Sequence, residues 1–499
     1  MGKGCYLSLL YIPTQRTSAH ANFIGSKYHK FYFQKNIKSY NKQLNKMKKL
    51  TLILLSLTFC GGNITNPETV NVIPNESGSD IQEIKKIEDK PYIAVENKNI
   101  YDQLSFRKLD ENCAPYLGQI INIKCYNKFS YLKSFNFEIP IVSIIKHNKN
   151  FYLLEKAGRI YKFNFNQSNL ELIIDFSEKV DDSNDRGAKG FAISNLEKTF
   201  SISYVNKLKQ LQVDLYSYEN DLSNNKFEKN LLSIQNEYDS ISWHYGGHII
   251  WSENFDSYVT GIGDFTPAGP LSRTNENPLR TNSYIGKLIL LNDEVEISYE
   301  YEVLKNNIQK SNDNILAIGL RNPWQFFEKG EYFIIPDVGF SINEELNITK
   351  FDSFPVNFGW PVYEGDLLSE EIDSLKNYNL LLNLYEKGIK ISSIVDYTKE
   401  NSTKPVFTYN HQPAEEYYRG AIVGGDIFTG NTDFEDTVIF GDHVSGELFL
   451  LNITNQSVLI SPFAYVQGGI TSIKIFDEIK NSVIVSTMSG DIHIIEILK

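Results

Sequence analysis

A few polar turns carry the residues best suited to chemistry. The stretch "GLRNPWQFFEKGEYFIIPDVG" (319–339) sets Arg321 and Asn322 beside a proline, then adds two strand-like apolar runs and the turn Asp337-Val338-Gly339. Two arrangements account for it: a β-hairpin decorated with polar residues, or an Arg and an Asp that face a shared polar site. "WHYGGHIIW" (243–251) puts His244 ahead of Gly246 and Gly247, with His248 close by. "GIGDFTPAGP" (261–270) puts Asp264 in a Gly-rich loop, and "NDRGAKGFAIS", "NFGWPVYEG" and "FGDHVSGEL" add further polar turns. An imidazole titrates near neutrality, so it can take or give a proton. A guanidinium forks onto carboxylate or carbonyl oxygens. Each residue also has a structural reading: a His bonded within its loop, a turn-capping Asp, an Arg that closes a hairpin against Asp337.

These turns punctuate a repeat. From about residue 130 the chain alternates short apolar strands with Gly-bearing turns, as in "NFYLLEKAGRIYKFN", "SYIGKLILLN", "DTVIFGDHVSGELFLLNI" and "NSVIVSTMSGDIHIIEI". Gly446 and Gly490 lie 44 residues apart, close to one four-stranded propeller blade of roughly 40–45 residues. Gly158 to Gly286 and Gly286 to Gly446 span 128 and 160 residues, which fits about three blades each once insertions are allowed. The expected fold is all-β, a six-bladed β-propeller over 134–499, with a β-sandwich as the competing architecture. "LSEEIDSLKNYNLLLNLYEKG" (368–388) reads as a helix inserted between blades.

The chain has 499 residues, is 41% hydrophobic and 13% aromatic, and has a net charge of −12. The apolar content supplies a core, and the aromatic content tilts it towards sheet. The negative charge opposes binding to nucleic acid.

Residues 47–60, MKKLTLILLSLTFC, join two lysines to an apolar run too short to span a bilayer as a helix. The run has the form of a signal peptide, and its final Cys60 resembles the lipid-modified cysteine of a bacterial lipoprotein. Residues 1–46 then read as an extension ahead of the true start at Met47, and 61–100 as a flexible tether. The segment 101–133 holds Cys113 and Cys125, which could pair in an oxidising compartment. The protein is therefore expected to be exported, to the periplasm or the cell surface, and to touch the membrane only through a lipid.

Taken in order, the motifs resemble the glucose/sorbosone dehydrogenase family, soluble quinoprotein sugar dehydrogenases built on six-bladed propellers. The specific pieces are Gly319-Leu320-Arg321-Asn322-Pro323-Trp324, Asp337-Val338-Gly339 with Glu344-Glu345, and Asn357-Phe358-Gly359-Trp360-Pro361. The resemblance implies that His244 is the general base, with Asp264 orienting it and Gly246 and Gly247 leaving room for a substrate ring. It implies that Arg321 and Asn322 hold pyrroloquinoline quinone (PQQ). It places a Ca²⁺ ion on the backbone at Gly339, next to Phe340. The substrate would be a small sugar, oxidised to its lactone, with electrons passing to an external acceptor.

The chain departs from the quinone enzymes at Trp324, where they carry glutamine, and resembles there the hedgehog-interacting-protein-like branch. Phe340 replaces a proline. The lysine expected near Val444-Ser445 and the arginines expected near Val466-Gln467 are absent. A surface-tethered propeller that binds a glycan or a protein without turnover is the alternative function.

Overall fold

A computed structural model describes residues 129–235, 243–265, 283–292, 314–368, 398–411, 418–430, 434–454 and 464–498, together with 92–93, 95–96 and 279. The proposed signal, Cys60, all of the tether but Tyr92–Ile93 and Val95–Glu96, Cys113, Cys125 and nearly all of the expected inserted helix lie outside the described residues.

The described chain forms six antiparallel blades. Blade 1 runs Ile141–His147, Asn150–Glu155, Arg159–Asn164 and Asn169–Asp175, and blade 2 runs Ala188–Ser194, Thr199–Val205, Gln210–Tyr218 and Asn225–Gln235. Blade 3 uses Gly246–Ser252, Ser257–Ile262, Lys287–Leu291 and Ile315–Ile318, and blade 4 uses Phe327–Lys329, Tyr332–Asp337, Asn343–Lys350 and Phe407–Asn410. Blade 5 is Ile422–Phe428, Thr437–Asp442, Glu447–Asn452 and Ala464–Tyr465. Blade 6 takes Ile470–Asp477, Ser482–Thr487 and Asp491–Ile497 from the C-terminal end of the chain, and its fourth strand, Phe129–Asn136, from the segment just ahead of blade 1. The ring is thus closed by strand pairing between distant parts of the sequence, from Ile497↔Phe129 to Asp491↔Asn136. The closing strand starts at Phe129, ahead of the expected boundary at 134.

Burial explains the sequence pattern. The first strand of each blade touches the first strands of both neighbours, so these six strands surround the axis. Each apolar cluster straddles two successive blades: Phe191 and Phe200 of blade 2 pack with Val142 and Leu154 of blade 1, and Phe326 and Phe333 pack with Val259 and Leu288 of blade 3. Strands pressed between neighbouring blades are buried on both faces. They read as continuous apolar runs, as in Thr437–Asp442 and Ser482–Thr487. The fourth strand of blade 2, Asn225–Gln235, is mostly exposed and correspondingly polar.

The turn glycines Gly158, Gly286, Gly446 and Gly490 all precede the third strand of a blade, in blades 1, 3, 5 and 6. Each long interval therefore spans two blades, not the three expected. Blade 2 places Lys209, at φ +63°, in the same left-handed turn position. Blade 4 uses the longer loop 338–342 there.

The axis is crossed by a side chain. Gln325 is fully buried; its Nε2 donates to the Val142 carbonyl of blade 1 at 3.1 Å, and its Oε1 accepts from Ser472 of blade 6 at 3.2 Å. The segment that carries Arg321 and Asn322 is thereby tied to blades on the far side of the ring.

Candidate active site

Blade 3 builds the first half of the site. His244 precedes its inner strand and Asp264 follows its second strand, and the antiparallel pairing Gly246↔Ile262 brings those two ends together. His244 Nδ1 lies 3.6 Å from Asp264 Oδ1. Gly263 permits the approach, since a Cβ there would meet the His244 carbonyl oxygen at 1.9 Å. Asp185 accepts the His244 backbone N–H at 2.9 Å and holds the residue at φ +59°. On the other side, Trp360 Nε1 donates to Asp264 Oδ2 at 3.1 Å, which leaves Oδ1 facing the imidazole. Burial and the nearby Arg321 guanidinium outweigh the Asp264 contact and hold the imidazole below its ordinary pKa, so it is neutral at pH 7. A carboxylate on Nδ1–H fixes the tautomer in which Nε2 is the basic nitrogen.

Arg321 joins blades 3 and 4. Its backbone N–H and that of Asn322 donate to the two carboxylate oxygens of Asp337 at 2.8 and 2.6 Å. Its side chain turns elsewhere: Nη1 donates to the Val338 carbonyl at 2.9 Å and also to the Gly339 carbonyl. The guanidinium carbon lies 5.3 Å from the Phe340 ring centre and 5.6 Å from that of Trp360. Asn322 Oδ1 accepts the Gly246 N–H at 3.2 Å, which links this loop back to the His244 turn. Both sequence readings of "GLRNPWQFFEKGEYFIIPDVG" therefore hold in part. Asp337 organises the hairpin through the backbone, while the guanidinium sits with Trp360 in the group around His244.

Carboxylates fill the space behind loop 339–343. Glu364 Oε1 accepts the N–H groups of Phe340, Ser341, Ile342 and Asn343 at 2.8, 2.7, 2.7 and 3.1 Å. Glu344 accepts the Gly339 N–H at 3.2 Å and pairs with His411 at 2.6 Å. Burial pushes Glu344 up, but His411 and the Ile422 and Ala421 N–H groups more than offset it and hold its pKa below the ordinary range. Burial pushes Asp337 up to about 7, and burial with the Asp337 charge lifts Glu345 well above its usual range.

In blade 5, Asp442 accepts from Tyr409 and Gly420 at 2.7 and 2.9 Å, and burial raises its pKa to about 7. Arg419, fully buried, forks onto Glu447 at 2.6 and 3.0 Å. Lys189 is buried against Asp185.

The structure thus brings His244, Asp264, Arg321, Asn322, Gly339 and Phe340 into one network of contacts. Asp442 and His443 part company: His443 Nδ1 is bonded to the Ile470 carbonyl at 2.8 Å. Gly246 and Gly247 do not open space for a ring. A Cβ on Gly246 would strike the Gly263 nitrogen at 2.5 Å, and one on Gly247 would strike the Lys189 side chain at 2.8 Å. Trp360 is buried and bonded to Asp264. Residue type alone does not point to Asp185 or Glu364: each serves backbone N–H groups distant in the chain, and nothing local marks those partners.

The residues do not fit PQQ with Ca²⁺. A calcium ion on the Gly339 carbonyl would sit about 2.3–2.6 Å from an oxygen that already accepts the Arg321 guanidinium. Among the described residues no group of three or more His, Cys, Asp or Glu side chains is placed to hold a metal ion. At the Val444-Ser445 turn, where the resemblance implies a lysine, Ser445 Oγ donates to Glu447 at 2.9 Å instead. PQQ is multiply anionic, whereas Arg419 is committed to Glu447 and Lys189 to Asp185. Among the described residues, a polyanion at this carboxylate-rich site would lack the cations needed to repay its desolvation.

The same ring occurs in solved sugar dehydrogenases. A glucose dehydrogenase aligns with a TM-score of 0.53 at 14% identity, over 74% of this chain and 99% of that one. The putative oxidoreductase (glucose dehydrogenase) of Thermus thermophilus gives 0.51 at 13% identity, over 74% and 99%. The apo-form of the soluble aldose sugar dehydrogenase of Escherichia coli gives 0.50 at 14% identity, over 74% and 98%. At these identities the likeness is one of fold. No family model and no curated protein matches the sequence.

Proposed function

We propose that this propeller is an exported oxidoreductase that converts an aldose-type sugar to its lactone, with His244 as the base. The observation that carries the reading is the His244–Asp264 pair: a neutral imidazole, oriented through Nδ1, beside a fixed guanidinium. The sugar's C1 hydroxyl gives its proton to Nε2. The hydride on C1 leaves to an organic two-electron acceptor of the quinone class, supplied from solution. Asp264 stabilises the imidazolium that forms, and Trp360 keeps the carboxylate aimed. The fold shared with glucose and aldose sugar dehydrogenases supports this chemistry. Export to the periplasm or cell surface, with a tether through Cys60, belongs to the same proposal.

The test is dye-linked oxidation of an aldose panel by the full chain with an uncharged quinone as acceptor, with and without added PQQ and Ca²⁺. Replacing His244 by Ala should lower kcat by roughly 10²–10⁴-fold while leaving urea unfolding unchanged. Absence of turnover with every aldose sinks the reading. A sugar-binding propeller without turnover is the second reading, favoured by buried carboxylates whose oxygens already serve backbone N–H groups. It predicts calorimetric sugar binding that survives in His244→Ala, and no dye reduction by the wild type.

A further inference from the structure

We infer that Arg321 takes the place of a metal ion at the mouth of this propeller, so that loop 338–343 is built and charged by a guanidinium instead of calcium. The inference rests on where the loop's main-chain groups go. The outward carbonyls of Val338 and Gly339 both accept Arg321 Nη1. The N–H of Gly339 goes to Glu344, and the next four N–H groups converge on one oxygen of Glu364. Cation and carboxylates clamp the loop from opposite sides, and its shape needs no ion.

The guanidinium is itself fixed. It is 5% exposed, anchored through its backbone to Asp337, and flanked by Phe340 and Trp360, whose ring centres lie 6.3 Å apart. Aromatic faces favour a cation held beside them, most of all when it is desolvated. A divalent ion that approached the same carbonyl oxygen would meet this charge at close range and in a poorly screened place. Arg321 Nε, buried, has no hydrogen-bond partner among the described residues.

The experiment uses the full chain, wild type and Arg321→Gln, with Tb³⁺ as a Ca²⁺ surrogate excited through tryptophan. Trp360→Phe identifies the signal from this loop. Thermal unfolding is measured in parallel in EDTA and in millimolar CaCl₂. The wild type should show no Trp360-dependent terbium emission at micromolar Tb³⁺ and the same Tm in EDTA as in calcium. Arg321→Gln, which leaves both carbonyls without their cation beside acidic neighbours, should bind Tb³⁺ at least tenfold more tightly at this loop. Trp360-dependent, chelator-reversible emission from the wild type overturns the inference, and so does an unchanged affinity in Arg321→Gln. Arg321→Lys, which keeps a charge, serves if the glutamine variant does not fold: it should stay dark, and emission from it overturns the inference. Sugar oxidation is a separate readout. An active enzyme that binds Tb³⁺ here refutes this inference alone, and an inactive protein that does not refutes the proposed function alone.

Discussion

Removing the Glu364 carboxylate should release loop 339–343, and the structure sets the size of the effect. One fully buried oxygen accepts four consecutive backbone N–H groups at 2.7 to 3.1 Å. A hydrogen bond to a charged acceptor contributes about 1.5–3 kcal/mol net, but a carboxylate oxygen has two lone pairs and the four donors share them. Ser341 is exposed and Phe340 and Ile342 are half-buried, so their N–H groups can turn to water once released; Asn343 is buried and cannot. Glu364→Ala should therefore cost about 3–5 kcal/mol. Glu364→Gln keeps an oxygen in place and loses only the charge assistance, roughly half the strength of each bond, so it should cost about 1–2 kcal/mol. Urea unfolding of both variants at constant m-value measures the difference. Hydrogen exchange should show amides 340–343 losing protection in the Ala variant first. An Ala variant within about 1 kcal/mol of wild type, or a Gln variant as damaging as Ala, refutes the reasoning.

Two further outcomes follow from other buried charges. Arg419→Met should destabilise by about 3–5 kcal/mol, because it strands Glu447 in the interior, whereas the double variant Arg419→Met with Glu447→Leu should recover most of that loss. A double-mutant cycle by urea unfolding checks it, and additive losses would contradict it. Burial raises Asp442 from 3.8 to about 7, so the folded state binds a proton that the unfolded chain has released. Stability from this group is present below pH 4 and is lost as pH rises towards 7, by about 4 kcal/mol at 1.36 kcal/mol per pH unit. Relative to wild type, Asp442→Asn should gain that much between pH 4 and 7.5 in parallel urea titrations, and a pH-independent difference would count against it.

Much of the ring was legible because strands buried on both faces must be apolar along their whole length, and their tight turns must bear a residue at positive φ. "DTVIFGDHVSGELFLLNI" and "NSVIVSTMSGDIHIIEI" gave blades 5 and 6 directly. Blades 2 and 4 carried no such turn glycine. Lys209 takes the left-handed turn position in one, and the loop bearing Gly339 replaces the turn in the other. The residue types of the site could also be read. His244, Asp264, Arg321 and Asn322 stand at strand ends, where a propeller gathers its loops.

By itself the sequence determined the strand content, the closed all-β architecture and the identity of the polar residues at the loops, since each is written in local pattern and residue type. Only the tertiary structure decided their partners. It gave the Val338 and Gly339 carbonyls to Arg321, the loop's N–H groups to Glu364, the second oxygen of Asp264 to Trp360 and the expected cation's turn to Glu447. Charges and hydrogen bonds act over a few ångströms in space, and the groups they join here come from strands and loops up to 96 residues apart in the chain.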